Sequence, residues 1–147
     1  MPLPDHLSAE IDGLCRRGDT LAEAGRLDEA KALYVEALRL LPDDPSDWAA
    51  STWIYVAIGD VHFRQGVFDR AYRCFHNAVR CPGGLGNPFI HLRLGQNALE
   101  LGDHDRAADE LMRAYMGGAP DIFDEDDPKY LAFLRTRADL GHARGSG

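Results

Sequence analysis

The sequence predicts an all-α fold: an α-solenoid of three stacked helical hairpins with a C-terminal capping helix, seven helices in all. Two observations carry this. First, a ladder of five positions recurs three times with the same internal spacing, at −12, −5, 0, +4 and +7 around an alanine. It reads Gly18, Gly25, Ala30, Tyr34, Ala37, then Gly59, Gly66, Ala71, Phe75, Ala78, then Gly95, Gly102, Ala107, Leu111, Ala114. A fixed period of this size is the signature of stacked supersecondary units. Second, apolar residues fall at helical spacing between glycine and proline breakers.

Taken in order, the first helix begins near Pro4, a residue suited to a first helical turn, and places Leu7, Ile11, Leu14, Gly18 and Leu21 on one face. Gly25 ends it. The second runs from about Leu27 to Leu41, and Pro42 with the DDPSD turn closes the hairpin. Ser46 with Asp47 supplies an N-cap for a long third helix, about Asp47 to Gln65, which is apolar on two faces. The fourth runs from about Phe68 to Arg80, and the CPGGLG run after it breaks the chain. Asn87-Pro88 starts the fifth helix, with Asn as cap and Pro as first residue. It ends at Gly102. The sixth runs from about Asp105 to Met116 and stops at Gly117-Gly118. An acidic linker, Asp121 to Asp127, leads to a seventh helix opened by Asp127-Pro128.

The ladder implies close packing. The first glycine of each set is expected to face the alanine of the second helix, so that the axes approach. The second glycine permits the left-handed turn that reverses the chain. The residue four after the alanine is expected to pack on the next hairpin. No hairpin buries its apolar face alone, so stacking makes the core.

These residues resemble the tetratricopeptide repeat, a unit of about 34 residues with small residues, aromatics and a closing proline at such offsets. Here the ladders are 41 and 36 residues apart, the excess lying in the inter-repeat turns. The resemblance covers about residues 8–121, as repeats 8–44, 46–85 and 87–121, with a cap at about 127–140 and a flexible tail at 141–147 in a single domain. Departures are Arg17 in place of a usual Leu, and His62 and Ala98 in place of a usual Tyr; Pro42 is the only closing proline at the usual place.

Composition narrows the function. A net charge of −8 and a pI near 5.1 argue against nucleic acid and favour a neutral or basic protein partner. No apolar run approaches the roughly 20 residues of a membrane span, and the N-terminus lacks a signal-peptide pattern. Cys15, Cys74 and Cys81 lack CxxC spacing, which fits a reduced, cytoplasmic setting. Asp60 and His62 lie two residues apart and so point to different helix faces, and Cys74 with His76 lacks further ligands. No phosphate loop or nucleophile motif is present, so the reading is a non-enzyme with no metal or cofactor.

The resemblance implies that the first helix of each hairpin lines a partner-binding groove. That face carries Asp12, Cys15, Asp19 and Glu23, then Trp53, Val56, Asp60, Phe63 and Arg64, then Phe89, Leu92, Gln96 and Glu100. It lacks the Lys and Asn pattern with which chaperone adaptors clamp an acidic C-terminus. Aromatics beside carboxylates have the composition of an interface hot spot. The alternative for Trp53, Phe63 and Phe89 is packing between repeats. The acidic stretch with Asp124 and Glu125 is either a soluble capping linker or a negative lip for a basic partner.

The expected function is a non-catalytic protein-binding module, a monomer when unbound, that occludes a basic partner stoichiometrically. The last third, AADELMRAYMGGAPDIFDEDDPKYLAFL, is similar to small tetratricopeptide immunity proteins of bacterial polymorphic-toxin loci, which implies a toxin inhibitor. A peptide-binding scaffold or chaperone and a homo-oligomerisation module are the alternatives.

Overall fold

The computed structural model describes residues 2–118 and 120–138. They contain seven α-helices, two short 3-10 turns and no strand. The chain divides into two compact units, Met1–Leu85 and Gly86–Gly147. The expected flexible tail, and the last two residues of the expected capping helix, lie outside the described residues.

The first unit holds α1 (Asp5–Glu23), α2 (Leu27–Leu40), α3 (Ala49–Arg64) and α4 (Phe68–Val79). α1 pairs with α2, α3 with α4, and α2 with α3. Its core gathers Ile11, Leu14, Tyr34, Leu41, Ile54, Ile58 and Val61. Each such side chain contributes roughly 1.5–3 kcal/mol on burial. The second unit holds α5 (Pro88–Glu100), α6 (His104–Gly118) and α7 (Pro128–Arg137). Its core includes Ile90, Leu94, Leu111, Phe123, Tyr130 and Leu134.

All three hairpins turn in the same way. Gly25, Gly66 and Gly102 have φ of 80°, 77° and 84°, the left-handed conformation expected of them. In each, the glycine N–H bonds back three residues and the next N–H bonds back five: Gly25 to Ala22 and Arg26 to Leu21, Gly66 to Phe63 and Val67 to His62, Gly102 to Leu99 and Asp103 to Ala98. This double closure satisfies carbonyls that the helix end would otherwise orphan.

The packing glycines work differently from the expectation. A Cβ on Gly18 would lie 2.7 Å from the Tyr34 ring, on Gly59 2.8 Å from the Phe75 ring, and on Gly95 2.6 Å from Leu111 Cγ. The glycine therefore faces the +4 residue of its own hairpin, which fills the space a side chain would take. The alanine at 0 is buried in every copy but is not the glycine's nearest neighbour.

Two other boundaries are corrected. The third helix does not start at Ser46-Asp47. Asp44 Oδ1 accepts from Ser46 N–H (2.9 Å) and opens a 3-10 turn, Pro45–Asp47. Trp48 is then extended, and its indole N–H donates to Pro42 O at 2.7 Å, so α3 begins one residue later. The sixth helix continues through Gly117-Gly118. These glycines serve close approach rather than a stop: a Cβ on Gly117 would lie 2.9 Å from Pro88 Cγ, and one on Gly118 2.9 Å from Ile122 Cδ1. The acidic linker is also partly built, since Pro120–Phe123 form a 3-10 turn and Phe123 is buried beside Tyr115.

Candidate functional site

In the first unit, the candidate residues lie on α1 and α3. Asp12, Asp19 and Glu23 are exposed on α1. Asp19 accepts a 2.5 Å hydrogen bond from the Tyr34 hydroxyl. Burial pushes the Tyr34 phenol up from its ordinary value, and Asp19, Cys15 and Asp60 push it further. Burial likewise raises the Cys15 thiol, with Asp19 and Asp12 adding to it. Asp12 and Asp19 on α1 thus act on Cys15, and Asp19 with Asp60 of α3 acts on Tyr34 of α2.

Trp53 and Asp60 stand two helical turns apart on one face of α3. Trp53 is 53% exposed although Ser51, Thr52 and Ile54 around it are buried. Val56, expected on the same surface, is buried instead. Phe63 is half-buried and meets Phe68 edge-to-face at 5.8 Å. Arg64 donates to Ala22 O at 3.2 Å, fastening the end of α3 to the end of α1 beside Glu23. Thr52 donates to Pro82 O at 2.6 Å, which fixes the start of α3 on the turn after α4. Trp53 thus stands on a helix tied down at both ends.

In the second unit, Leu92 and Gln96 are buried rather than presented to solvent. Phe89 is half-buried beneath Arg93, whose guanidinium lies 4.7 Å over its ring. Arg93 also donates to Gln96 Oε1 (2.8 Å) and to Asp126 Oδ1 (2.9 Å), both largely shielded from solvent. Glu100 is engaged within the unit: Lys129 Nζ lies 2.6 Å away and the Tyr130 hydroxyl donates to it at 2.7 Å. It therefore anchors α7. Asp124 and Glu125 are exposed on the turn before α7. A cleft of about 430 Å³ opens between α5 and this turn.

Sequence reasoning missed two groups here. Arg93 is legible afterwards as the i+4 neighbour of Phe89. The other is a buried relay: Gly86 N–H donates to His91 Nε2 (3.0 Å), and His91 Nδ1 lies 2.7 Å from Glu110 Oε1. The first bond puts the ring proton on Nδ1, where it donates to Glu110. Arg106 lies 3.4 Å from the other carboxylate oxygen. The relay ties the start of α5 to the middle of α6. Among the described residues, no group of three or more His, Cys, Asp or Glu is placed to hold a metal ion. No helix among them is long and apolar enough to cross a membrane.

Comparison with known proteins agrees with this architecture. Models of the tetratricopeptide repeat match residues 11–44 and 56–121, so the chain belongs to the tetratricopeptide repeat family. Among solved structures, PcrH from Pseudomonas aeruginosa is similar at 16% identity, with 92% of this chain and 94% of that chain covered and a TM-score of 0.69. The Yersinia enterocolitica type III secretion chaperone SycD, in complex with a peptide of the translocator YopD, gives 16% identity, 85% and 89% coverage and a TM-score of 0.68. The first tetratricopeptide repeat domain of Spaghetti (RPAP3), bound to the Hsp90 peptide SRMEEVD, gives 18%, 88% and 90%, and 0.67. At these identities the likeness shows the fold. No curated relative matches the sequence.

Proposed function

We propose that this protein is a non-catalytic, cytoplasmic binding module, monomeric when unbound, that captures a basic polypeptide and occludes it. The observation that carries the reading is Trp53, a large aromatic turned outward on a pinned helix, on the same face as Asp60 and in a unit that also presents Asp12, Asp19 and Glu23. An aromatic anchor in a unit that also presents carboxylates suits a cationic, partly apolar segment, and the negative field speeds its encounter. Phe63 extends this face in the first unit. Phe89, Asp124 and Glu125 are the candidates in the second, with Val56, Leu92 and Gln96 as support and Glu100 holding α7 in place. A bacterial toxin domain is the partner suggested by the resemblance of the last third to immunity proteins.

A chaperone or adaptor for a linear peptide is the second reading. It is favoured by similar structures solved with peptides bound, SycD and the Spaghetti domain. The two share the polypeptide partner and differ in whether that partner is folded. Self-association is the third, and a monomer in light scattering excludes it.

The experiment is a fluorescence titration of Trp53 in a Trp48→Phe background, with a lysine-rich peptide and its glutamate-substituted analogue, at low and high salt. The expected result is a spectral change with the basic peptide alone, weakened by salt. Equal responses to both peptides, or none, would overturn the basic-partner reading.

A further inference from the structure

We propose that the cleft between α5 and the 120–126 turn holds one lysine or arginine side chain of the partner. The inference rests on the basic-partner reading above and names the residue type recognised.

Three features of the second unit lead to it. The half-buried Phe89 and Ile122 line the cleft above the buried Leu92, and Asp121 and Glu125 are exposed on its rim. The two other charged groups lining it, Arg93 and Asp126, pair with each other at 2.9 Å and cancel. The cleft is therefore negative at its mouth, and Phe89 and Ile122 are the apolar part of a lining that is otherwise polar. An anionic ligand is repelled at the rim. A purely apolar one leaves the carboxylates unused. A lysine or arginine lays its aliphatic stem on Ile122, beside the Phe89 ring that Arg93 covers, and leaves its charged head at Asp121 and Glu125, the division such side chains adopt at apolar surfaces.

Arg93 already displays this chemistry within the protein. Its guanidinium lies over the Phe89 ring while it bonds a carboxylate of the same turn. Cation–π attraction and a charge-assisted hydrogen bond thus coexist at this spot. The rim is also preformed. Phe123 is buried beneath the turn, Asp124 N–H bonds to Asp121 O (3.1 Å), and Asp127 Oδ1 accepts from Lys129 N–H (2.9 Å) to cap α7. A preformed rim spares the ordering cost of binding. A volume of about 430 Å³ is ample for a long side chain.

The test uses the full chain, labelled for amide NMR, and an octapeptide alternating leucine with lysine or arginine. The controls are the same peptide with norleucine at the basic positions and the Asp121→Asn/Glu125→Gln variant, whose changes are exposed and isosteric. The expected result is shifts at the amides of Phe89, Ile122 and Glu125 with the basic peptide only. The variant should bind about fivefold more weakly, as two exposed charge contacts imply. Equal shifts with norleucine, or equal affinity of the variant, would overturn the inference. Shifts around Trp53 without shifts at the cleft would defeat the cleft alone. No shifts anywhere would defeat the basic-partner reading with it.

Discussion

Replacing Gly59 by alanine in the first unit exposes how the hairpins are held. The new methyl carbon would lie 2.8 Å from Phe75 Cζ and 2.9 Å from Cε2. Phe75 is fully buried, so its ring has no solvent-side space to retreat into. Overpacking of this kind costs about 1–3 kcal/mol. Alanine is the better helix former by about 1 kcal/mol, which offsets part of that cost. The net expectation is a loss of about 1 kcal/mol. Gly13 supplies the control, because it lies in α1 and a Cβ there meets nothing within 4 Å. Gly13→Ala should gain about 0.5–1 kcal/mol from helix propensity alone. The same chemical change at the two sites should therefore differ by about 2 kcal/mol. Urea unfolding followed by far-UV circular dichroism measures both. If Gly59→Ala unfolds at the same or a higher midpoint than Gly13→Ala, the glycine–ring contact is not what brings these helices together.

Three further outcomes follow from charge and burial. Burial, with Lys31 and Arg70 nearby, holds the His62 imidazole below its ordinary 6.5 against the opposing pull of Asp69. The unfolded chain then takes up the proton more readily, so stability is full above about pH 6.5 and is lost as pH falls through that value. His62→Phe should flatten that part of the pH–stability curve, and an unchanged slope would assign it elsewhere. Burial raises the Glu100 carboxyl, but hydrogen bonds from Lys129 and Tyr130 more than reverse this and hold it below its ordinary 4.5. Its contribution is present above that value and fades as pH falls through the lowered one. Glu100→Gln should cost roughly 1 kcal/mol at neutral pH, a moderate figure because Lys129 is half-exposed; thermal unfolding reads it, and no loss would mean that α7 is anchored by packing alone. Burial first of all pushes the Cys74 thiol up to about 11, so alkylation at about pH 8 should leave it unmodified until the chain unfolds. Rapid labelling of the native protein, read by peptide mass, would contradict this.

Much of the fold was legible because it is local and periodic. The turn glycines sit where a left-handed residue must end a helix, and Asn87 accepts from Phe89 and Ile90 N–H as an N-cap should. Spacing alone did not say which residue faces the packing glycines. The alanine at +12 and the aromatic or Leu at +16 share a helix face, and only the packed hairpin shows the larger side chain filling the gap. Gly117-Gly118 was misread for a related reason. A glycine pair signals a stop when it is judged by conformation, but Pro88 and Ile122 make it a point of close approach.

The candidate site was less legible, because exposure and pairing are long-range properties. Trp53 and Val56 lie three residues apart on one stripe, and only packing decides that the first is outward and the second buried. Glu100 read as a groove carboxylate, yet its partners are Lys129 and Tyr130, about 30 residues onward. A charge reversal at Glu100 would therefore loosen α7 as well as alter the surface. Asp12, which is exposed on α1, makes the cleaner electrostatic probe.

The most direct test of partner capture is the affinity of the folded protein for a lysine-rich peptide, measured by calorimetry with and without Trp53→Ala. The side chain is more than half exposed, so its removal should leave the unfolding temperature nearly unchanged. Binding should weaken at least tenfold, as expected for an aromatic anchor. An affinity that survives the substitution intact would contradict the proposal that this face receives the partner.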